Sequence, residues 1–238
     1  MGIKIKRKKP KMIWASLMYR LHKILPLTRR AKLKVFLNME WMFDRLSKEM
    51  SFTNYTVDTH PGWVFRRQFF QKHLNENFTV LDLGCATGAL TNMIAEKAKK
   101  VIGIDHNKWD IEKAKTTYKK NNLEFYHGDA LEFLSNNKEH FDVLILAHIL
   151  EHLDNPKEFI YAFKNYFRFI YIELPDFDSS VLNHFRKDLN MQLVYTDDDH
   201  VSEFDRFELE TLLTECNIKI VESVYRFGVQ QLWCEVKK

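Results

Sequence analysis

The chain has 238 residues, 45% of them hydrophobic and 29% charged, a balance that suits one α/β domain with a short extension and excludes intrinsic disorder, collagen-like repeats and a disulfide scaffold. The net charge of +4 hides two unlike parts. Residues 1–39 carry twelve Lys/Arg (Lys4, Lys6, Arg7, Lys8, Lys9, Lys11, Arg20, Lys23, Arg29, Arg30, Lys32 and Lys34) and no acid, which leaves 24 bases against 32 acids in residues 40–238. A nucleic-acid binder would carry excess base on its body as well, so nucleic acid is a disfavoured partner.

Cys85, Cys216 and Cys234 show no paired spacing, which points to reduced thiols and a cytosolic setting. The basic start followed by Met12–Tyr19 resembles a signal peptide only superficially. Arg20, His22 and Lys23 cut the apolar stretch short, no small-residue cleavage site follows, and a membrane span needs ~20 apolar residues.

In chain order, the first predicted element is a basic amphipathic helix from Ile13. Its apolar positions Ile13, Trp14, Leu17, Met18, Leu21, Ile24 and Leu25 follow helical spacing until Pro26 stops it. Such a stripe commonly packs on the protein body or on a second subunit, giving a homodimer; the other reading is peripheral contact with an anionic membrane. A second helix is predicted over about Lys32–Glu49. Ser51–Pro61 reads as a linker, which divides a basic helical extension (1–50) from the main domain (51–238).

From about Trp63 strand and helix patterns alternate. Apolar, β-branched runs fall at Phe78–Leu83, Val101–Ile104, Leu123–Tyr126, Phe141–Ala147, Phe169–Leu174, Ile218–Tyr225 and Leu232–Val236. Helical patterns separate the first five, which predicts a mostly parallel sheet of about seven strands covered by helices on both faces. The last two runs read as an antiparallel hairpin.

The first run leads through Asp82-Leu-Gly84-Cys85-Ala86-Thr87-Gly88 into a helix, the context of a ligand loop. A dinucleotide fingerprint would need glycine at 86 and 89, where alanine stands, and no P-loop Lys is present. Asp82 would repel a pyrophosphate but suits a cationic amino-acid group. Asp105 ends the second strand where a carboxylate can accept both hydroxyls of a ribose. Gly128-Asp129-Ala130 ends the third, where a carboxylate can take the amine of adenine.

Together with Gly103-Ile-Asp105, Gly128-Asp129-Ala130 and Phe141-Asp-Val-Leu-Ile-Leu-Ala-His-Ile-Leu-Glu-His152, this loop resembles the successive motifs of class I S-adenosylmethionine-dependent methyltransferases. The likeness covers about residues 60–238 and departs from the family at Ala86, usually glycine. It implies a Rossmann-like three-layer α/β sandwich and S-adenosylmethionine held by Asp82, Gly84, Cys85, Ala86, Thr87, Gly88, Asp105, His106, Asp129, Ala130 and Ala147.

His148, Glu151 and His152 fall at i, i+3 and i+4, which predicts one helix face beside the methyl group, with His148 or His152 as base for a hydroxyl acceptor. With His200, from Asp197-Asp-Asp-His200, they are also a plausible set of ligands for a divalent metal, Mn or Mg. That set resembles the Glu-x-x-Glu-His and distant His of metal-dependent small-RNA 2′-O-methyltransferases, with His148 in place of the first Glu. Glu173 reads equally as an acceptor-facing acid or an ion-pair partner. His60, Trp63, Arg66 and Arg67 lie where this family caps the cofactor and contacts the acceptor, and arginines there suit a sugar or phosphorylated substrate.

The segment from Asp44 to Pro61 is similar to methyltransferases found with bacterial surface-polysaccharide genes, implying a small-molecule or glycan-linked acceptor. RNA methylation and a noncatalytic binding protein are the rival readings.

Overall fold

The protein is described by a computed structural model over residues 12–136, 140–194, 197 and 199–237. The basic residues Lys4, Lys6, Arg7, Lys8, Lys9 and Lys11, and Asp198 of the His200 segment, lie outside the described residues.

Seven strands form one sheet: β1 (Thr79–Leu83), β2 (Lys100–Asp105), β3 (Leu123–His127), β4 (Val143–Ala147), β5 (Phe169–Pro175), β6 (Ile218–Arg226) and β7 (Val229–Val236). Their order is β3-β2-β1-β4-β5-β7-β6. The first five pair in parallel, and β7 enters between β5 and β6, antiparallel to both. The β6–β7 hairpin turns at Phe227-Gly228, where both residues have positive φ, the conformation a tight hairpin turn requires.

Strand alternation explains the layers. Leu144 and Leu146 pack on one face with Leu81, Ile160 and Leu213. Val143 and Ile145 pack on the other with Phe69, Phe70, Ile111 and Tyr171. Helices cover both faces: α3 (Pro61–His73), α4 (Ala89–Ile94), α5 (Lys108–Thr117), α6 (Ala130–Asn136), α7 (Pro156–Phe163), α8 (Val181–Asp188) and α9 (Arg206–Glu215). Local chemistry starts several of them. The Asn107 side chain accepts from the first-turn N–H groups of α5, and Asp205 with Glu208 forms a capping box on α9.

Two helices precede the sheet, α1 (Ile13–Ile24) and α2 (Arg29–Asn54). α2 runs past residue 50 and shortens the expected linker Ser51–Pro61 to the turn at Tyr55–His60. Ser51 and Thr53 return hydroxyl hydrogen bonds to carbonyls within the helix, and Pro61, at the first position of α3, opens the next helix rather than a coil. α2 is fixed to α8 by the buried Arg186, which donates to the Leu37 carbonyl and pairs with Glu40. The packing of α1 on the body is not found, since none of its residues is buried.

Candidate functional site

The strand order reverses between β1 and its neighbours β2 and β4, so the loops at their carboxyl ends open a crevice at this switch point. The β1 loop is tied to β2: Gly84 and Cys85 N–H both donate to the Ile104 carbonyl, at 2.8 and 3.1 Å. Gly84 has φ +69°, and a Cβ there would stand 2.4 Å from Ile149 Cδ1. Gly88, with φ +83°, would drive a Cβ to 2.6 Å from Phe125. Both positions therefore demand glycine twice over. Ala86 lies between them with φ +44°, a left-handed conformation that costs an L-residue about 1–2 kcal/mol.

Asp105 holds this strained residue. Its Oδ2 accepts the Ala86 N–H at 2.8 Å and its Oδ1 the Asn107 N–H at 2.8 Å, leaving each oxygen a further lone pair for a ligand hydroxyl. His106 next to it is 96% exposed. Asp129 caps the start of α6 by accepting the Glu132 N–H at 2.8 Å. It also lines a cavity of about 430 Å³ with Ile104, Tyr126, Gly128 and Phe133. Ala130 is buried as the first residue of α6, and Ala147 is half-buried at the end of β4.

Two members of the expected set face inward. Asp82 is buried beneath the loop and accepts the Thr91 hydroxyl at 2.7 Å. Burial pushes its pKa up to about 7, against the Thr91 hydrogen bond and the charge of Arg66. The Cys85 thiol is buried, where a Cβ on Gly103 would lie 2.9 Å from its sulfur, and burial raises its pKa. Thr87 is half-buried in the same loop.

Across the switch point, β4 ends in a sharp turn rather than the expected helix. His148 has φ +58° and donates its N–H to the Glu173 carbonyl at 2.8 Å. Leu150–His152 then makes a single 3-10 turn, and α7 begins only at Pro156. The expected single helix face therefore does not form, and Glu151 stands between the two rings, bonded to His148 and grouped with His152. The His148 ring lies between two buried carboxylates, Nδ1 3.0 Å from Glu151 and Nε2 3.3 Å from Glu173. Burial opposes its charging, but these hydrogen bonds raise its pKa to about 9. With a carboxylate against each ring nitrogen, His148 is an ion-pair partner, and it stands outside the group formed by Glu151, His152 and His200.

The other three converge. The loop after residue 198 is stitched to the 3-10 turn by the N–H groups of Val201 and Ser202, which both donate to the Glu151 carbonyl. One ligand atom each from Glu151, His152 and His200 lies within 4.8 Å of the others, and the two rings meet edge to face at 4.9 Å. Glu151 Oε2 is buried with no hydrogen-bond partner. The buried His200 ring is oriented by Glu203, 2.9 Å from its Nδ1. His152 Nδ1 lies 3.3 Å from the Asp199 carbonyl. Glu203 escaped the reading of the sequence, although His200-x-x-Glu203 repeats the spacing of His148-x-x-Glu151.

The remaining expectations resolve into structure. Glu173 is an ion-pair partner: Arg66 donates Nε to its Oε2 at 2.9 Å and pairs with its Oε1, while Gln231 donates at 2.7 Å and Tyr171 donates its hydroxyl. Arg66 also stacks over Trp63 at 4.6 Å. Arg67 pairs with Asp58 at 2.7 Å, and His60 caps α3 by accepting the Gly62 N–H at 3.2 Å. Arg66 is thereby committed to Glu173, whereas Arg67 keeps a pair with a solvent-exposed partner.

Comparison with known proteins agrees with this fold. Residues 58–223 match a family model described as a methyltransferase domain. An uncharacterized RNA methyltransferase of Mycoplasma mobile is 32% identical over 131 residues, covering 45% of this chain and 36% of that protein. A ubiquinone biosynthesis O-methyltransferase of Pelagibacter ubique is 35% identical over 85 residues, covering 36% of this chain and 35% of that protein. The matched stretches thus span about a third of these curated relatives. The magnesium protoporphyrin IX methyltransferase of Synechocystis, solved with bound S-adenosylhomocysteine, shares the fold at a TM-score of 0.54 and 16% identity, over 74% of this chain and 85% of that one. Since the family model matches more than half of the chain and the sheet carries the strand order of the fold, the protein belongs to the class I S-adenosylmethionine-dependent methyltransferases, with a Rossmann-like fold.

Proposed function

We propose that this enzyme methylates a hydroxyl of a small-molecule or glycan-linked acceptor seated against Glu151, His152 and His200, with the cofactor's ribose on Asp105 and its adenine near Asp129. The observation that carries the reading is the buried, unpartnered Glu151 Oε2 beside two imidazoles, because an unpaired buried acceptor lacks the proton or cation that would satisfy it. The acceptor oxygen attacks the methyl carbon, the carbon–sulfur bond breaks, and the acceptor proton passes to His152. Its Nδ1–H donates to the Asp199 carbonyl, leaving Nε2 as the base.

The same three side chains fit a divalent cation, and the carboxylate behind His200 is the usual support for a metal-bound imidazole. Two nitrogens and one carboxylate suit Mn²⁺ better than Mg²⁺. When bound, the ion would polarise the acceptor oxygen and lower the pKa of its hydroxyl.

Similarity to ubiquinone biosynthesis O-methyltransferases supports a hydroxyl acceptor, and the likeness of residues 44–61 to polysaccharide-associated methyltransferases supports a glycan. Three buried, unpaired cysteines support a reducing, cytosolic setting. RNA methylation is the second reading, favoured by the Mycoplasma mobile relative and opposed by the acid excess of residues 40–238.

The test is methyl transfer from labelled S-adenosylmethionine to phenolic, glycan and RNA acceptors, with and without chelator. The expected outcome is transfer to a hydroxyl compound that falls about 10²–10⁴-fold in His152→Ala. If the ion is used, the chelator has the same effect and Mn²⁺ reverses it. Full activity in both His152→Ala and His200→Ala would overturn the assignment.

A further inference from the structure

The helix α1 presents a face that no other described residue covers. Ile13, Trp14 and Ile24 are 75, 80 and 77% exposed, and Leu17, Met18 and Leu21 are exposed with them. At 3.6 residues per turn these positions fall on one arc of about 140°. α1 meets α2 outside that arc: the His22 ring stands 5.9 Å edge-on to Phe36, and Lys32 Nζ donates to the Lys23 carbonyl at 3.4 Å. None of the six arc residues makes these contacts.

Charge identifies the occupant. Arg20 borders the arc, Lys23 stands beyond it, Arg29, Arg30, Lys32 and Lys34 follow in α2, and residues 12–39 contain no acid. A surface that is both apolar and basic fits a partner with an apolar interior under anionic groups, which describes a bilayer of acidic lipids. Nucleic acid would match the charge but offers nothing to Ile13, Leu17 or Ile24. The helix has 12 residues, about 18 Å long against a hydrocarbon core of ~30 Å, so it can lie in the interface but not cross it. Among the described residues no helix is long and apolar enough to cross a membrane.

We propose that α1 seats the enzyme in the plane of an anionic lipid surface, with Trp14, Leu17 and Ile24 in the acyl region and Arg20 at the headgroups. This docking is independent of which acceptor is methylated.

Co-sedimentation of the full chain with phosphatidylglycerol or phosphatidylcholine vesicles tests it, with light scattering in parallel. The expected result is binding to phosphatidylglycerol alone, weakened about thirty-fold by Arg20→Glu and about a hundred-fold by Leu17→Glu with Ile24→Glu. Because α1 buries no residue, both variants should keep the wild-type thermal midpoint and affinity for S-adenosylhomocysteine, which separates lost docking from lost folding. Failure of the wild type to sediment with phosphatidylglycerol at low salt overturns the proposal. So does equal sedimentation of the Leu17→Glu, Ile24→Glu variant, or a wild-type dimer that this variant dissociates, since a second copy would then occupy the face.

Discussion

Arg66 of α3 and Glu173 at the end of β5 form a two-point ion pair across 107 residues of sequence. Burial alone would raise the carboxyl's pKa. Arg66 and His148 hold it far below the usual carboxylate range instead. Glu173 in turn accepts from His148 Nε2, so this pair fixes the ring that flanks the crevice.

Removing one partner strands the other. Glu173→Gln leaves a buried guanidinium without its anion and should cost about 3–5 kcal/mol in urea unfolding. Arg66→Met combined with Glu173→Gln should recover most of that loss, because the cost lies in the unpaired charge rather than in the pair's own net contribution. A double variant as unstable as the single one would contradict this account.

The pH dependence of stability should carry the signature of His148. Its pKa rises from 6.5 to about 9 on folding, so its contribution is complete below about pH 6.5 and disappears as pH rises through 9. The ring is 40% exposed, and solvent moderates the size of the effect. Asp82, raised from 3.8 to about 7 by burial, keeps its proton in the fold after the unfolded chain has lost it, and so lowers stability between pH 3.8 and 7. The two windows separate above pH 7. Thermal midpoints from pH 7 to 9 should fall more steeply in the wild type than in His148→Ala, where His200 and the buried thiols of Cys85, Cys216 and Cys234 still make stability fall.

Asp105 supports the β1 loop and, in the proposed reading, accepts ribose hydroxyls. Its replacement removes the anchor of the left-handed Ala86 together with a charge-assisted ligand bond of ~1.5–3 kcal/mol. Asp105→Ala should therefore weaken S-adenosylhomocysteine about ten-fold or more by calorimetry. Unchanged affinity would place the cofactor elsewhere.

The strands and the cofactor loop were legible because their signals are local. β-branched runs, the glycines at 84 and 88, and the acids ending successive strands all act within a few residues of where they stand, and the parallel alternation orders them along one edge. The α1 stripe was equally plain as a pattern, yet periodicity shows only that a face exists and not what meets it. What lay beyond the sequence was decided by tertiary pairing. Spacing put His148, Glu151 and His152 on one helix face, but the backbone leaves β4 in a left-handed turn because β5 offers the Glu173 carbonyl there. His200 reaches Glu151 only through the stitched loop, and Arg66 is committed to Glu173. Side-chain charge is set by whichever partners the sheet order brings within a few ångströms, and residues 25 to 107 positions apart carry no local signal of that meeting.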